Sequence, residues 1–413
     1  MPPGAGPGDL PGAGLSRQPC ACMLRQGGRD WTGWFLYLRT PMVKDFVMDR
    51  RHFFHGCLAL GATPALFAGA NHPTVAELSR VRAGWLKLLG PFPTRKPALD
   101  AQVRQVAETA DHVRHQVSFA SEGNDRVTAW LLLPKTPKKN PGMGVIAVHP
   151  TTGGTGKDRS AGLAGLHPGE KGNPADLSRA YGLELVRRGH AVLCIDLLTD
   201  GERVAPGLGP YDSRAFYQRH PDWSMVGKNT WDIMRSVDFL LTRPEVDARR
   251  IACVGHSLGG HSSLFAAALD PRIGGCVANG GVLGWMRPAD HWARAGGMSP
   301  PPAPGEKPPA GVGRYTYIKN AGPYLADATR AFPVDFSDLM LLVAPRPLWV
   351  GESQEEARDY GLGAMASRVR QAYLGATLRH AAWPLFDTAT YPGGHGFPDD
   401  ARTHAWGWLE TWV

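Results

Sequence analysis

Twelve residues constrain this chain most: Arg250-Ile-Ala-Cys-Val-Gly-His-Ser-Leu-Gly-Gly-His261. The apolar run Ile251 to Val254 predicts a short buried strand, and Gly260 to Leu269, rich in small residues, predicts a helix. Between them lies Gly255-His256-Ser257-Leu258-Gly259, a G-x-S-x-G pattern. That pattern arises by chance in chains rich in glycine and serine, and strand, sharp turn and helix are the context that gives it meaning. The turn is strained, so side chains two residues either side of the serine would clash. The helix begins at the serine, and its first N–H groups and dipole favour negative charge developing there. Ser257 is therefore the candidate nucleophile.

Around this stretch, apolar strands alternate with amphipathic helices. Gly144 to His149, Ala191 to Asp196, Ile273 to Ala278, Pro347 to Val350 and Leu385 to Tyr391 read as strands. Helical spacing links Leu177, Tyr181 and Leu185, then Ile233, Val237, Leu240 and Leu241, then Met365 to Leu374, and Ala405 with Trp408, Leu409 and Trp412. Earlier, Thr74 to Leu89 has a weak helical period, and Val113 to Phe119 and Arg126 to Leu133 read as paired strands. The expected fold class is α/β, a mostly parallel central sheet with helices on both faces. Residues 199–230 and 279–333 break the alternation at the carboxyl ends of strands, where α/β proteins place binding sites. Both segments carry aromatics (Tyr211, Phe216, Tyr217, Trp223; Trp285, Trp292, Tyr315, Tyr317, Tyr324) and are expected to act as cap-like insertions.

Of the 413 residues, 43% are hydrophobic and 20% charged, enough for a sizeable core. The net charge of +8 is scattered, with no basic cluster interleaved with aromatics, so no nucleic-acid partner is expected. The six cysteines have no metal-ligand spacing and require no disulfide framework; Cys194, Cys253 and Cys276 fall in strand-like runs as small hydrophobes. No metal and no cofactor are expected.

Residues 1–47 have no sustained period and read as a leader or a start-site artefact. Met48-Asp-Arg-Arg-His-Phe-Phe-His55, the apolar run Cys57 to Phe67 and Ala68-Gly-Ala70 together resemble a twin-arginine export signal, placing 48–70 as a signal peptide. The alternative is a membrane-associated helix that stays attached. The apolar run is too short for a mature bilayer span, so no stable span is expected after cleavage. Residues 71–413 would then form one catalytic domain, periplasmic or secreted.

A serine hydroxyl needs a base, and the base needs orienting. His395, in Tyr391-Pro-Gly-Gly-His-Gly-Phe-Pro after the last strand, can reach the serine; His256 and His261 flank it too closely, and His404 falls on the final helix as an exposed residue. Two backbone N–H groups should face the developing oxyanion: Leu258 after the nucleophile, and Thr151 in the loop after the Gly144 strand. Gly153-Gly-Thr-Gly-Lys157 in that loop lacks the full spacing of a phosphate cradle.

Gly255-His-Ser-Leu-Gly259, the His149-Pro150 loop, Ala344-Pro-Arg-Pro347 and Gly394-His-Gly396 together resemble the α/β-hydrolase superfamily, closest to its dienelactone-hydrolase-like and acetylxylan-esterase-like branch, over about Val113 to Val413. Dienelactone hydrolases proper carry a cysteine nucleophile, where Ser257 stands here. Glucuronoyl esterases carry an arginine after the nucleophile, from which Leu258 departs. The resemblance places the acid after the Pro347 to Val350 strand, and counting from Pro345 gives Glu356, with Glu352, Glu355 and Asp359 as competitors on what otherwise reads as a solvated acidic loop. It implies a serine esterase acting on a small-molecule or carbohydrate ester, with acetylated sugars or aromatic esters as candidates. A peptidase or amidase on the same triad, or a non-catalytic ligand-binding relative, are the alternatives. Oligomeric state is not legible.

Overall fold

In the computed structural model the described residues are 73–165, 177–282, 284, 295–296, 313–327, 329–377 (backbone alone for 375–377) and 384–413. The expected leader and signal segments lie outside them, as do Trp285 and Trp292.

The strands are β1 (Gln102–Glu108), β2 (His112–Ala120), β3 (Arg126–Pro134), β4 (Gly142–Val148), β5 (Ala191–Ile195), β6 (Val246–His256), β7 (Gly275–Asn279), β8 (Leu348–Ser353) and β9 (Phe386–Tyr391). They form one sheet in the order β1-β2-β3-β5-β4-β6-β7-β8-β9. From β5 onward every neighbouring pair is parallel, whereas β1, β2 and β3 join by antiparallel pairing. This is the mostly parallel α/β sheet expected.

The helices are α1 (Val75–Leu89), α2 (Lys157–Ala161), α3 (Tyr181–Arg187), α4 (Arg214–Arg219), α5 (Met225–Leu240), α6 (Leu258–Leu269), α7 (Gly322–Leu325), α8 (Phe336–Val343), α9 (Gln354–Asp359), α10 (Leu362–Thr377) and α11 (Asp399–Trp412). Both faces of the sheet are covered. Ile146, Val148 and Cys253 belong to the larger core with α1, α5, α6 and α8; Val145, Ala147, Ala252 and Val254 alternate to the opposite core with Tyr181 of α3 and Trp406, Trp408 and Leu409 of α11. Burial on both faces explains the unbroken apolar runs of β4 and β6. Helix α1 starts at a capping box, in which the Thr74 hydroxyl accepts the Glu77 N–H at 3.2 Å and Glu77 accepts the Thr74 N–H at 2.6 Å.

Several expectations need correction. Leu177 precedes α3 and is exposed, because the helix begins at Tyr181. Strand β1 and helices α8 and α9 had no counterpart in the sequence reading. Strand β8 runs to Ser353, three residues beyond Val350. In the first insertion Tyr211, Phe216, Tyr217 and Trp223 are buried members of the main core. The two insertions meet: Asp212 bridges Arg314, the Tyr217 hydroxyl donates to the Thr316 carbonyl at 3.1 Å, and Tyr211 stacks on Tyr315. Cys194, Cys253 and Cys276 are free and buried in their strands, as expected of small hydrophobes.

Candidate active site

The sheet register brings the relevant strand ends to one edge. Val148 lies opposite Gly255, His256 opposite Asn279, Asn279 opposite Gly351, and Ser353 opposite Tyr391. Loops leaving β4, β6, β8 and β9 therefore emerge side by side. Ser257 follows β6 directly with φ 57 and ψ −124, a left-handed backbone that a serine adopts only under constraint. Gly259 accounts for the tightness: a Cβ there would lie 2.0 Å from the Val148 carbonyl and 2.7 Å from that of His149. A Cβ on Gly255 would lie 2.3 Å from the Gly259 carbonyl carbon. The turn is thus pressed against the end of β4, which makes Leu258 a neighbour of the loop holding Thr151.

His395 lies in the loop after β9. Its Nε2 is 2.7 Å from Ser257 Oγ, and its Nδ1 is 2.7 Å from Glu356 Oε1. A carboxylate accepts only, so the Nδ1–H donates to Glu356 and Nε2 is left to accept the serine proton. Glu356 sits in the first turn of α9, where its N–H donates to the N-cap Ser353 hydroxyl at 3.2 Å and that hydroxyl donates to Glu356 Oε2 at 3.2 Å. Burial pushes the Glu356 carboxyl up, but the bond and charge of His395 and the Ser353 hydroxyl outweigh it, leaving the group below the usual carboxylate range.

The competing acids fall elsewhere. Glu355 and Asp359 are exposed, and Asp359 pairs with Arg358 at 3.1 Å. Glu352 corrects the solvated-loop reading: it lies within β8, fully buried, where Oε1 accepts the Val282 N–H at 3.0 Å and Oε2 has no hydrogen-bond partner. Burial first, and the nearby Glu356 carboxylate after it, hold its carboxyl well above the usual range and favour the neutral form.

The Thr151 loop is clamped at several points. The Leu197 N–H donates to His149 Nε2 at 3.0 Å, so His149 carries its proton on Nδ1, 2.6 Å from the Pro150 carbonyl. The Thr152 N–H donates to the Tyr211 hydroxyl at 2.7 Å, while the Tyr211 and Thr152 hydroxyls both donate to Asp200. The hydroxyls of Thr151 and Tyr317 are 3.3 Å apart, linking this loop to the second insertion. Lys157 turns away from any phosphate-cradle role: it is buried between Asp196 at 2.8 Å and Glu202 at 2.5 Å. His404 is half-buried rather than exposed, and pairs with Asp387 at 3.1 Å.

Sequence reasoning missed Asn279, Tyr211 and Asp200. Asn279 and Asp200 were open to detection as polar residues at or just beyond the carboxyl ends of β7 and β5. Among the described residues no group of three or more His, Cys, Asp or Glu side chains has metal-holding geometry, and no helix is long and apolar enough to cross a membrane.

Comparison with known proteins agrees with this architecture. The family model "Glucuronyl esterase, fungi" matches residues 212–373, under half of the chain, taking in Ser257 and Glu356 but not His395. YtaP of Bacillus subtilis is 26% identical over 198 residues, 46% of this chain and 60% of its own length. The hydrolase ORFZ of Pyricularia oryzae is 27% identical over 225 residues, 52% of this chain and 45% of its own. The chain thus spans 60% or less of these curated relatives. Among solved structures, a glucuronoyl esterase from Solibacter usitatus superposes with a TM-score of 0.58 at 18% identity, covering 82% of this chain and 92% of that one. Acetyl xylan esterase 1 from Thermoanaerobacterium sp. gives 0.53 at 14% identity, covering 83% and 100%. The chain thus has the α/β-hydrolase fold of these esterases.

Proposed function

We propose that the chain is an exported serine hydrolase that cleaves a carboxylic ester, acetylated carbohydrate being the favoured substrate class. The observation that carries this reading is the continuous path Ser257 Oγ, His395, Glu356, with 2.7 Å at each step. Ser257 attacks the ester carbonyl while His395 Nε2 takes its proton, and Glu356 holds the ring and stabilises the imidazolium. The N–H groups of Leu258 and Thr151 receive the oxyanion, and the twelve-residue α6 directs its positive end to the same place. His395 returns the proton to the alkoxy oxygen as its bond to the carbonyl carbon breaks, the alcohol leaves, and the acyl group stays on Ser257 Oγ as an acyl-enzyme. Water, deprotonated by the same imidazole, then releases the acid. A non-catalytic relative would have no need of a strained serine aligned with a base and an acid.

The fold-level likeness to glucuronoyl and acetyl xylan esterases supports a carbohydrate ester. Leu258 stands where the resemblance to glucuronoyl esterases calls for an arginine, which favours a neutral acyl group over a uronate. The test is a panel of acetylated xylo-oligosaccharides, methyl glucuronate and 4-nitrophenyl acetate. Acetate release with the highest kcat/KM supports the reading; preference for the glucuronate ester overturns the substrate class. Residues 71–413 are proposed as one catalytic domain behind the twin-arginine signal of 48–70.

A further inference from the structure

Asn279 ends β7, the strand beside the nucleophile's, and is fully buried. Its backbone carbonyl accepts the Ser257 N–H at 2.8 Å. Its side-chain Nδ2 donates to the Gly396 carbonyl at 2.8 Å and to His256 Nδ1 at 2.9 Å. Its Oδ1 lies 2.8 Å from the Tyr391 hydroxyl, which is also 3.0 Å from the Gly396 carbonyl. One residue therefore touches the nucleophile's own amide and the peptide that immediately follows His395.

We infer that Asn279 is a positioning residue that fixes His395 against Ser257, an inference that rests on the serine-hydrolase reading above. The loop carrying His395 has little else to hold it: Gly393 and Gly394 have open space around them, and residues 392–395 are exposed. The anchoring must therefore come from its ends, and Gly396 is the end adjacent to the imidazole. The chemistry at position 279 is specific. Gly396 O and His256 Nδ1 each accept an N–H here, and Oδ1 accepts from the Tyr391 hydroxyl, so a primary amide serves all three at once. Aspartate offers no donor when ionised and one when protonated. Alanine offers neither: it leaves His256 Nδ1 without its donor and leaves the Gly396 carbonyl and Tyr391 hydroxyl with only each other, at 3.0 Å, and no tie to β7.

The same amide also fixes His256. Accepting at Nδ1 leaves the proton on Nε2, and burial followed by the charge of His395 holds this imidazole well below its usual range. The His256 ring lies 4.8 Å from that of His395 at 37°. Asn279 thus orients the His256 ring beside the imidazole that becomes charged during attack, while burial disfavours a second charge there.

The test compares wild type, Ser257→Ala, Asn279→Ala, Asn279→Asp and Tyr391→Phe on 4-nitrophenyl acetate across pH, with fluorophosphonate labelling rates and circular dichroism in parallel. Wild type and Ser257→Ala report on the underlying reading separately. Asn279→Ala is expected to lower kcat about 10²-fold with KM within about twofold, the scale of an ångström-level misplacement, and to slow labelling in step. Tyr391→Phe, which keeps both amide donations, is expected to lose less than tenfold. Asn279→Asp is expected to regain activity relative to wild type as pH falls and its carboxyl takes up a proton able to reach Gly396. Wild-type kcat in Asn279→Ala overturns the inference. Should that variant not fold, a pH profile of Asn279→Asp parallel to wild type overturns it as well.

Discussion

His395 Nε2 lies 2.7 Å from Ser257 Oγ although 138 positions separate the two residues. No local motif can make that contact. It follows from parallel strands whose carboxyl ends share one edge, so that the loops after β6 and β9 open towards each other across β7 and β8. Glu356 enters from the first turn of α9, directly after β8, which is why Nδ1 meets the acid while Nε2 faces the serine.

The first prediction concerns that acid. Glu356→Gln keeps the shape but leaves Nδ1–H without a carboxylate to stabilise the imidazolium, a change that costs roughly 10⁴ in rate in the serine-protease template. A comparable fall in kcat is expected, with little change in melting temperature. Glu355→Gln and Asp359→Asn, both at exposed positions, should stay within about threefold of wild type. A large loss in either of those two, with Glu356→Gln active, would move the acid along α9.

A second prediction follows from Glu352, whose neutral form the fold prefers. Its folded value is raised above the ordinary 4.5 by burial, so below about pH 4.5 folded and unfolded states are equally protonated. As pH rises from there to the folded value, the unfolded chain loses a proton that the folded chain retains, and stability falls by about 1.4 kcal/mol per pH unit. Glu352→Gln removes this dependence. Its stability relative to wild type, from urea melts at several pH values, should climb as pH rises above about 4.5. A difference that stays flat with pH would mean that Glu352 is ionised in the folded protein.

Much of this arrangement was legible in the sequence, and the reasons differ from residue to residue. Strands β4 and β5 and the Ile251 to Val254 part of β6 are buried on both faces, so their side chains read as unbroken apolar runs, and the G-x-S-x-G turn stands out because sterics demand its glycines. His395 was legible through its place after the last strand, and Glu356 only by counting along a resemblance. Strand β1, Gln-Val-Arg-Gln-Val-Ala-Glu, lies at the sheet edge with most of its residues exposed, and its sequence carries no alternation to mark it. Helix α8 is so largely buried between α1, α6 and α10 that its apolar residues trace no stripe. Glu352 misled because a carboxylate in an acidic run reads as solvent-facing, and nothing local reveals that the strand continues beneath it. Asn279 escaped for the opposite reason: its partners Gly396 and His256 are assembled only by the sheet.

The third prediction tests export. Arg50 and Arg51 followed by the apolar run to Phe67 carry the twin-arginine reading. Mature protein recovered outside the cytoplasm should begin at Asn71, and replacing both arginines by lysine should leave the precursor inside. Unchanged export of the double mutant would contradict the signal assignment.

The most direct measurement is the site of covalent capture. Wild-type protein treated with a fluorophosphonate and digested should yield, by mass spectrometry, a stoichiometric adduct on Ser257 and none after Ser257→Ala, with circular dichroism unchanged. Glu356→Gln should label at the same serine but far more slowly. An adduct on another residue, or no adduct on folded wild-type protein, would contradict the assignment of Ser257 as the nucleophile.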